Sequence, residues 1–166
     1  MKNFFSKTTL VLASMVLSAS AYAVDIGQAA PDFELPNPAG ASVKLSSYKG
    51  KVVYLDFWAS WCGPCKQSFP WMNEMQSRYG AKNFQIVGVN VDQKSDDAKE
   101  FLKENKATFD VVFDNTGKIP KTFAIKGMPT SMLIGADGKV ISVHTGFKPE
   151  NKAELEKQIK DALGVK

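Results

Sequence analysis

Cys62 and Cys65 are the two cysteines of the chain, and they stand in one short run, Trp61 to Lys66, read W-C-G-P-C-K. Residues three apart on a helix are neighbours, so these thiols lie near disulfide distance and can open and close a small ring. The run sits where an apolar stretch ends and a helical pattern begins. Val52 to Trp58, V-V-Y-L-D-F-W, is mostly apolar, β-branched and aromatic, which reads as a strand buried on both faces. A helix opened by the cysteines turns unpaired backbone N–H groups and the positive end of its dipole towards the sulfur, favouring thiolate, the reactive form. Pro64 suits the first helical turn, where there is no N–H partner to lose, and Gly63 puts no side chain over the sulfurs.

Two other uses of the pair stand beside redox chemistry. Zinc needs four ligands, and beyond the cysteines the chain offers one histidine, His144, about 80 residues on. A structural staple is the second, although so small a ring removes little unfolded-state entropy. His144 itself reads as a strand residue, with no cysteine, acid or second histidine placed to use it.

At 166 residues, 44% hydrophobic and 23% charged, the chain suits one domain with a sizeable core and shows neither repeats nor disorder. Residues 1–23 read as a secretory signal peptide: Lys2 and Lys7, an apolar middle from Leu10 to Leu17, and the small-x-small site Ala21-Tyr22-Ala23. An uncleaved membrane anchor is the alternative, because the uncharged stretch Thr8 to Val24 is 17 residues, at the short limit for spanning. The expected product is a periplasmic domain of residues 24–166. Lys2 and Lys7 are two of the 21 basic residues, leaving 19 against 17 acids. That balance, with lysines spread beside acids, does not make a nucleic-acid footprint.

Along that domain, Asp32 to Leu35 and Ser42 to Leu45 flank Asn37-Pro38-Ala39-Gly40 as an N-terminal hairpin. Phe69, Met72 and Tyr79 mark one face of a helix ending at Gly80, with Pro70 inside it, and Phe84 to Val91 is a second buried strand. Ser95 reads as the N-cap of the next helix, ahead of Asp96 and Asp97. Val111 to Phe113 is a short strand, Thr130 to Ile134 and Val140 to His144 a hairpin about Ala136-Asp137-Gly138, and Asn151 to Leu163 a final helix stopped by Gly164. Strand, helix, strand, helix implies a parallel core with right-handed crossovers, an α/β fold.

The sequence resembles the thioredoxin superfamily, and within it the exported TlpA/ResA-like thiol-disulfide reductases. The resemblance rests on D-F-W-A-S-W-C-G-P-C-K from Asp56 to Lys66, on Pro70, on A-I-K-G-M-P-T from Ala124 to Thr130, and on G-Q-A-A-P-D-F-E-L from Gly27. It implies a thioredoxin fold, a central mixed β-sheet flanked by helices, with the N-terminal hairpin as an extension. It also implies that Cys62 is the exposed nucleophile and Cys65 the more buried resolving thiol, cycling through a mixed disulfide with no cofactor. Met128-Pro129 would be a cis peptide facing the cysteines, and Trp61, Gly63, Pro64, Met128 and Pro129 would bind substrate. Asp56 matches the buried acid that moves protons for the second cysteine. Gly88 stands where thioredoxins carry a lysine near that acid, and Ser68 where ResA-like proteins carry a glutamate.

The expected activity is reduction of disulfide-containing protein substrates by a monomer recharged from a membrane thiol-electron donor. A peroxiredoxin-like thiol peroxidase is the alternative enzyme, although Ala59 stands where P-x-x-x-T-x-x-C needs threonine. A non-catalytic binding or assembly protein on the same fold is the alternative of another class.

Overall fold

The structure is a computed structural model and describes residues 24–166; the signal-peptide expectation falls on residues 1–23, outside the described residues. Strands β1 (Glu34–Pro36) and β2 (Ser42–Lys44) pair as an antiparallel hairpin. The central sheet has the order β5-β4-β3-β6-β7, with β3 (Val52–Trp58), β4 (Phe84–Asn90) and β5 (Asp110–Phe113) parallel. Strands β6 (Thr130–Ile134) and β7 (Val140–Thr145) add antiparallel on the other side of β3. Helices α1 (Gly63–Tyr79), α2 (Ser95–Glu104), α3 (Lys118–Thr122) and α4 (Lys152–Leu163) connect and cover it. This is the thioredoxin fold with its N-terminal hairpin.

All seven residues of β3 are buried, as a strand with neighbours on both edges and cover on both faces must be. Its alternation divides the interior. Val52, Tyr54 and Trp58 join Phe69, Met72, Met75, Phe84, Ile86, Leu155 and Ile159 beneath α1 and α4, with Ala98 of α2. Val53, Leu55 and Phe57 face the other way, against Phe33, Leu35, Leu45, Ile119 and Phe123 from the hairpin and α3. Each such apolar side chain contributes about 1.5–3 kcal/mol on burial.

Several boundaries differ from the sequence expectations. Helix α1 does end at Gly80 as expected, but that residue stays right-handed (φ −55°), a 3-10 turn follows over Gly80–Lys82, and Asn83 makes the reversal (φ 58°). Asparagine tolerates that region. Ser95 is the first residue of α2 rather than its cap: Lys94 is extended before it with no side-chain cap bond, and Asp96 and Asp97 meet the dipole instead. Helix α4 starts at Lys152, behind a 3-10 turn over Pro149–Asn151, and Gly164 ends it left-handed (φ 65°) as expected.

Candidate active site

The junction of β3 and α1 carries both thiols to one end of the sheet. Cys62 is extended (φ −89°, ψ 104°), and its Sγ accepts the Cys65 backbone N–H at 3.3 Å. A sulfur therefore holds the place of a serine or aspartate oxygen at a helix start, and takes up an N–H that the first turn leaves without a carbonyl. Lys66 N–H donates to the Cys62 carbonyl (3.2 Å), and Gly63 and Pro64 fill the turn between. The two sulfurs are joined in a disulfide, with Cα atoms 5.3 Å apart. Trp61 is 71% exposed, whereas Cys62 keeps 6% of its surface and Cys65 none. An incoming group meets Trp61 first, then Cys62, and Cys65 only through it; in the closed disulfide Cys62 is itself nearly covered.

The loop before Cys62 is held from β4. Asp92, 3% exposed, accepts from Ser60 N–H (3.0 Å) and Ser60 Oγ–H (3.1 Å), and also from Asn90 Nδ2 (2.8 Å). Asn115 Nδ2 donates to the Asp92 carbonyl (2.7 Å), tying in the loop after β5. Sequence reasoning passed over this clamp. Its only signal was an acid directly after the buried strand, in V-N-V-D.

Across from the cysteines, the Met128–Pro129 peptide is cis. The register Phe57 with Thr130 sets it at the cysteine end of β3, and Met128, half-buried, packs against the cluster that contains Cys62 and Cys65. The Pro129 carbonyl accepts Gly146 N–H (2.7 Å); among the described residues the backbone N–H and carbonyl of Met128 have no protein partner.

Asp56 lies on the α1 face of β3, flanked in register by Gly88 on β4 and Ser131 on β6. It is 2% exposed, Oδ2 has no hydrogen-bond partner, and burial holds its carboxyl well above the ordinary carboxylate range. No cation stands across from it in register: the position is Gly88, where a Cβ would lie 3.1 Å from Phe109 Cε2 and 3.1 Å from Trp58 Nε1, so a side chain there needs those rings to give way. Ser131 Oγ instead pairs with Tyr54 Oη at 2.8 Å. Ser68, also buried, spends its hydroxyl on the Cys65 carbonyl (2.8 Å). His144 lies across from Ser131 on β7, as the strand residue expected, with a buried Nε2 that has no partner.

Comparison with known proteins agrees in kind. The Redoxin family model matches residues 25–159. The thiol-disulfide oxidoreductase ResA of Bacillus thuringiensis is 37% identical over 137 residues, 82% of this chain and 78% of that protein. A Chlorobium tepidum crystal structure, provisionally named thiol:disulfide interchange protein DsbE, is 57% identical with a TM-score of 0.83, covering 85% of this chain and 99% of that one. A second Chlorobium tepidum structure, a thiol:disulfide interchange protein of the thioredoxin family, is 30% identical with a TM-score of 0.73, covering 82% and 96%.

Proposed function

The chain belongs to the Redoxin family and is a thiol-disulfide oxidoreductase with its C-x-x-C pair at Cys62 and Cys65, and from that premise we propose that it works in the periplasm as a reductase of protein disulfides. The observation that carries the mechanism is the sulfur of Cys62 at the start of α1, accepting the Cys65 N–H beside an exposed Trp61. Reduced, Cys62 as thiolate attacks a substrate disulfide; one substrate sulfur leaves with the electron pair and takes a proton from solvent, and a mixed disulfide forms. Cys65 then gives its proton to Asp56 and attacks Cys62 Sγ. The bond between Cys62 and the substrate breaks, the second substrate sulfur leaves and is protonated, and the ring closes. Two electrons have passed to the substrate. The unpaired backbone of Met128 gives an extended substrate segment one N–H and one carbonyl beside Trp61, Gly63, Pro64 and Pro129.

Gly-Pro between the cysteines supports the reducing direction, by resemblance to the reducing members of the superfamily. The protein acts as a monomer on its two thiols alone, binds no nucleic acid, and draws electrons from a membrane thiol donor. Residues 1–23 are the export signal and 24–166 the working domain; no helix among the described residues is long and apolar enough to cross a membrane. Insulin reduction and equilibration with glutathione test the reading together. The expected reduction potential is about −230 to −280 mV, and a value of about −120 mV would make the protein an oxidant of thiols. N-terminal sequencing of the exported protein should begin at Val24.

A further inference from the structure

A buried carboxylate needs a donor, and the register position that could hold a cationic one is Gly88, crowded by Phe109 and Trp58. The groups that face Asp56 can be named element by element. From β3 there is Tyr54; from β4, Gly88 between Ile86 and Asn90; from β6, Ser131, with His144 of β7 beyond it; the core on the Tyr54 side of the sheet holds the Cys62–Cys65 pair of α1 and the apolar Leu155 and Ile159 of α4. Burial is what raises the Asp56 carboxyl above the ordinary carboxylate range.

Trp58 Nε1–H is a second buried atom without a partner, but its ring is wedged against Phe69 and Phe101 at centroid distances of 4.9 and 5.0 Å, and it cannot swing to the carboxyl. Hydroxyls can turn. Tyr54 and Ser131 hold two hydroxyl protons and use one in the bond between them, leaving one O–H to donate. Ser131 is the direct cross-strand neighbour of Asp56, and Tyr54 is two residues before it on the same face. The Tyr54 phenol, lifted first by burial, is lifted further by Asp56, which places the two groups within electrostatic reach.

We propose that the Tyr54–Ser131 hydroxyl pair is the ionisation partner of Asp56, with the Ser131 side chain, not bonded to Asp56 in the disulfide state, shifting in the dithiol state to bring its O–H onto the carboxylate. The structure holds the disulfide state, in which Asp56 Oδ2 stands unbonded, and on this proposal the carboxyl there carries the proton taken from Cys65. In the dithiol state the carboxylate must exist long enough to take the Cys65 proton, and a neutral donor steadies it without the permanent charge that would keep it ionised after transfer. Tyr54 and Ser131 are thus positioning residues. The proposal rests on the reading of Asp56 as proton acceptor, and its test separates the two.

The readout is the carbon-13 carboxyl signal of Asp56 followed against pH in the fully reduced protein, beside single-turnover rates for attack by Cys62 and release by Cys65. In Tyr54→Phe/Ser131→Ala the Asp56 midpoint should rise by about one pH unit, and release at pH 7 should slow about tenfold with first attack unchanged. Ser131→Ala alone should carry the larger part of that rise and Ser131→Thr should restore the wild-type midpoint, so a folding defect in the double variant leaves a decision in hand. A wild-type midpoint in both Ser131→Ala and the double variant overturns the proposal. Wild-type release in Asp56→Asn would overturn the proton-acceptor reading alone, since the midpoints are read without catalysis.

Discussion

At the scale of single residues, the two cysteines differ by position rather than by type. In the reduced protein Cys62 should react with iodoacetamide and Cys65 should stay unlabelled until denaturation, because Cys65 retains no accessible surface; faster labelling of Cys65 would exchange their roles. Asp56 makes stability depend on pH. Its folded affinity for a proton is raised by burial above the unfolded value, so the folded state binds more protons from the ordinary carboxylate range up to the raised folded value. Its stabilising contribution is therefore present in full below that window and lost as pH rises through it, about 1.4 kcal/mol for each unit of elevation. Asp56→Asn in the disulfide form should be at least as stable as the parent near pH 7, with a flatter denaturant midpoint from acid to neutral. A large loss of stability would mean the carboxylate has a partner. The cysteines and Asp56 were legible as an apolar strand running into C-x-x-C. Ser131 and Tyr54 were not, because a hydroxyl in a strand carries no signal until the register says what stands opposite.

Elements place these residues, and the clamp at the end of β4 is where one loop depends on another. Asp92→Ala would leave the N–H of Ser60 and Nδ2 of Asn90 without their acceptor, at a cost of roughly 2–4 kcal/mol. Ser60→Ala, which keeps the N–H bond, should cost about 1 kcal/mol. Hydrogen exchange at the Ser60 amide checks both, with fast exchange expected in Asp92→Ala and parent-like protection in Ser60→Ala. Gly88→Ala tests the closed position across from Asp56: with neighbours at 3.1 Å the methyl should destabilise by about 1–3 kcal/mol in a denaturant titration. The long elements were readable because their patterns run for several turns or a full strand. Helix α3 was not read at all: five residues containing Pro120, entered from Gly117 in a left-handed conformation (φ 65°), are too few for a period to show. The chain reverses at Asn83 (φ 58°), three residues beyond the Gly80 cap, because an asparagine can take the left-handed conformation that ends the 3-10 turn.

For the whole molecule, the redox state and the fold are one equilibrium, because closing the ring between Cys62 and Cys65 is favoured by however much more stable the closed form is than the open one. A reducing protein should therefore lose stability on reduction, and its urea midpoint should fall when dithiothreitol is added; a rise would mark an oxidant. The sheet order adds a matter of timing. Strand β3 lies between β4, which follows it closely, and β6, whose Ser131 is opposite Asp56 although 75 positions separate them in the chain. Both sulfurs thus leave the ribosome well before the strand that completes their surroundings, in a chain that offers no third cysteine for a wrong pairing. The growing polypeptide is a bare dithiol first and a selective one last. A fragment ending at Gly127 should accordingly show two alkylatable cysteines of similar reactivity, and discrimination between them should arrive only with the last two strands.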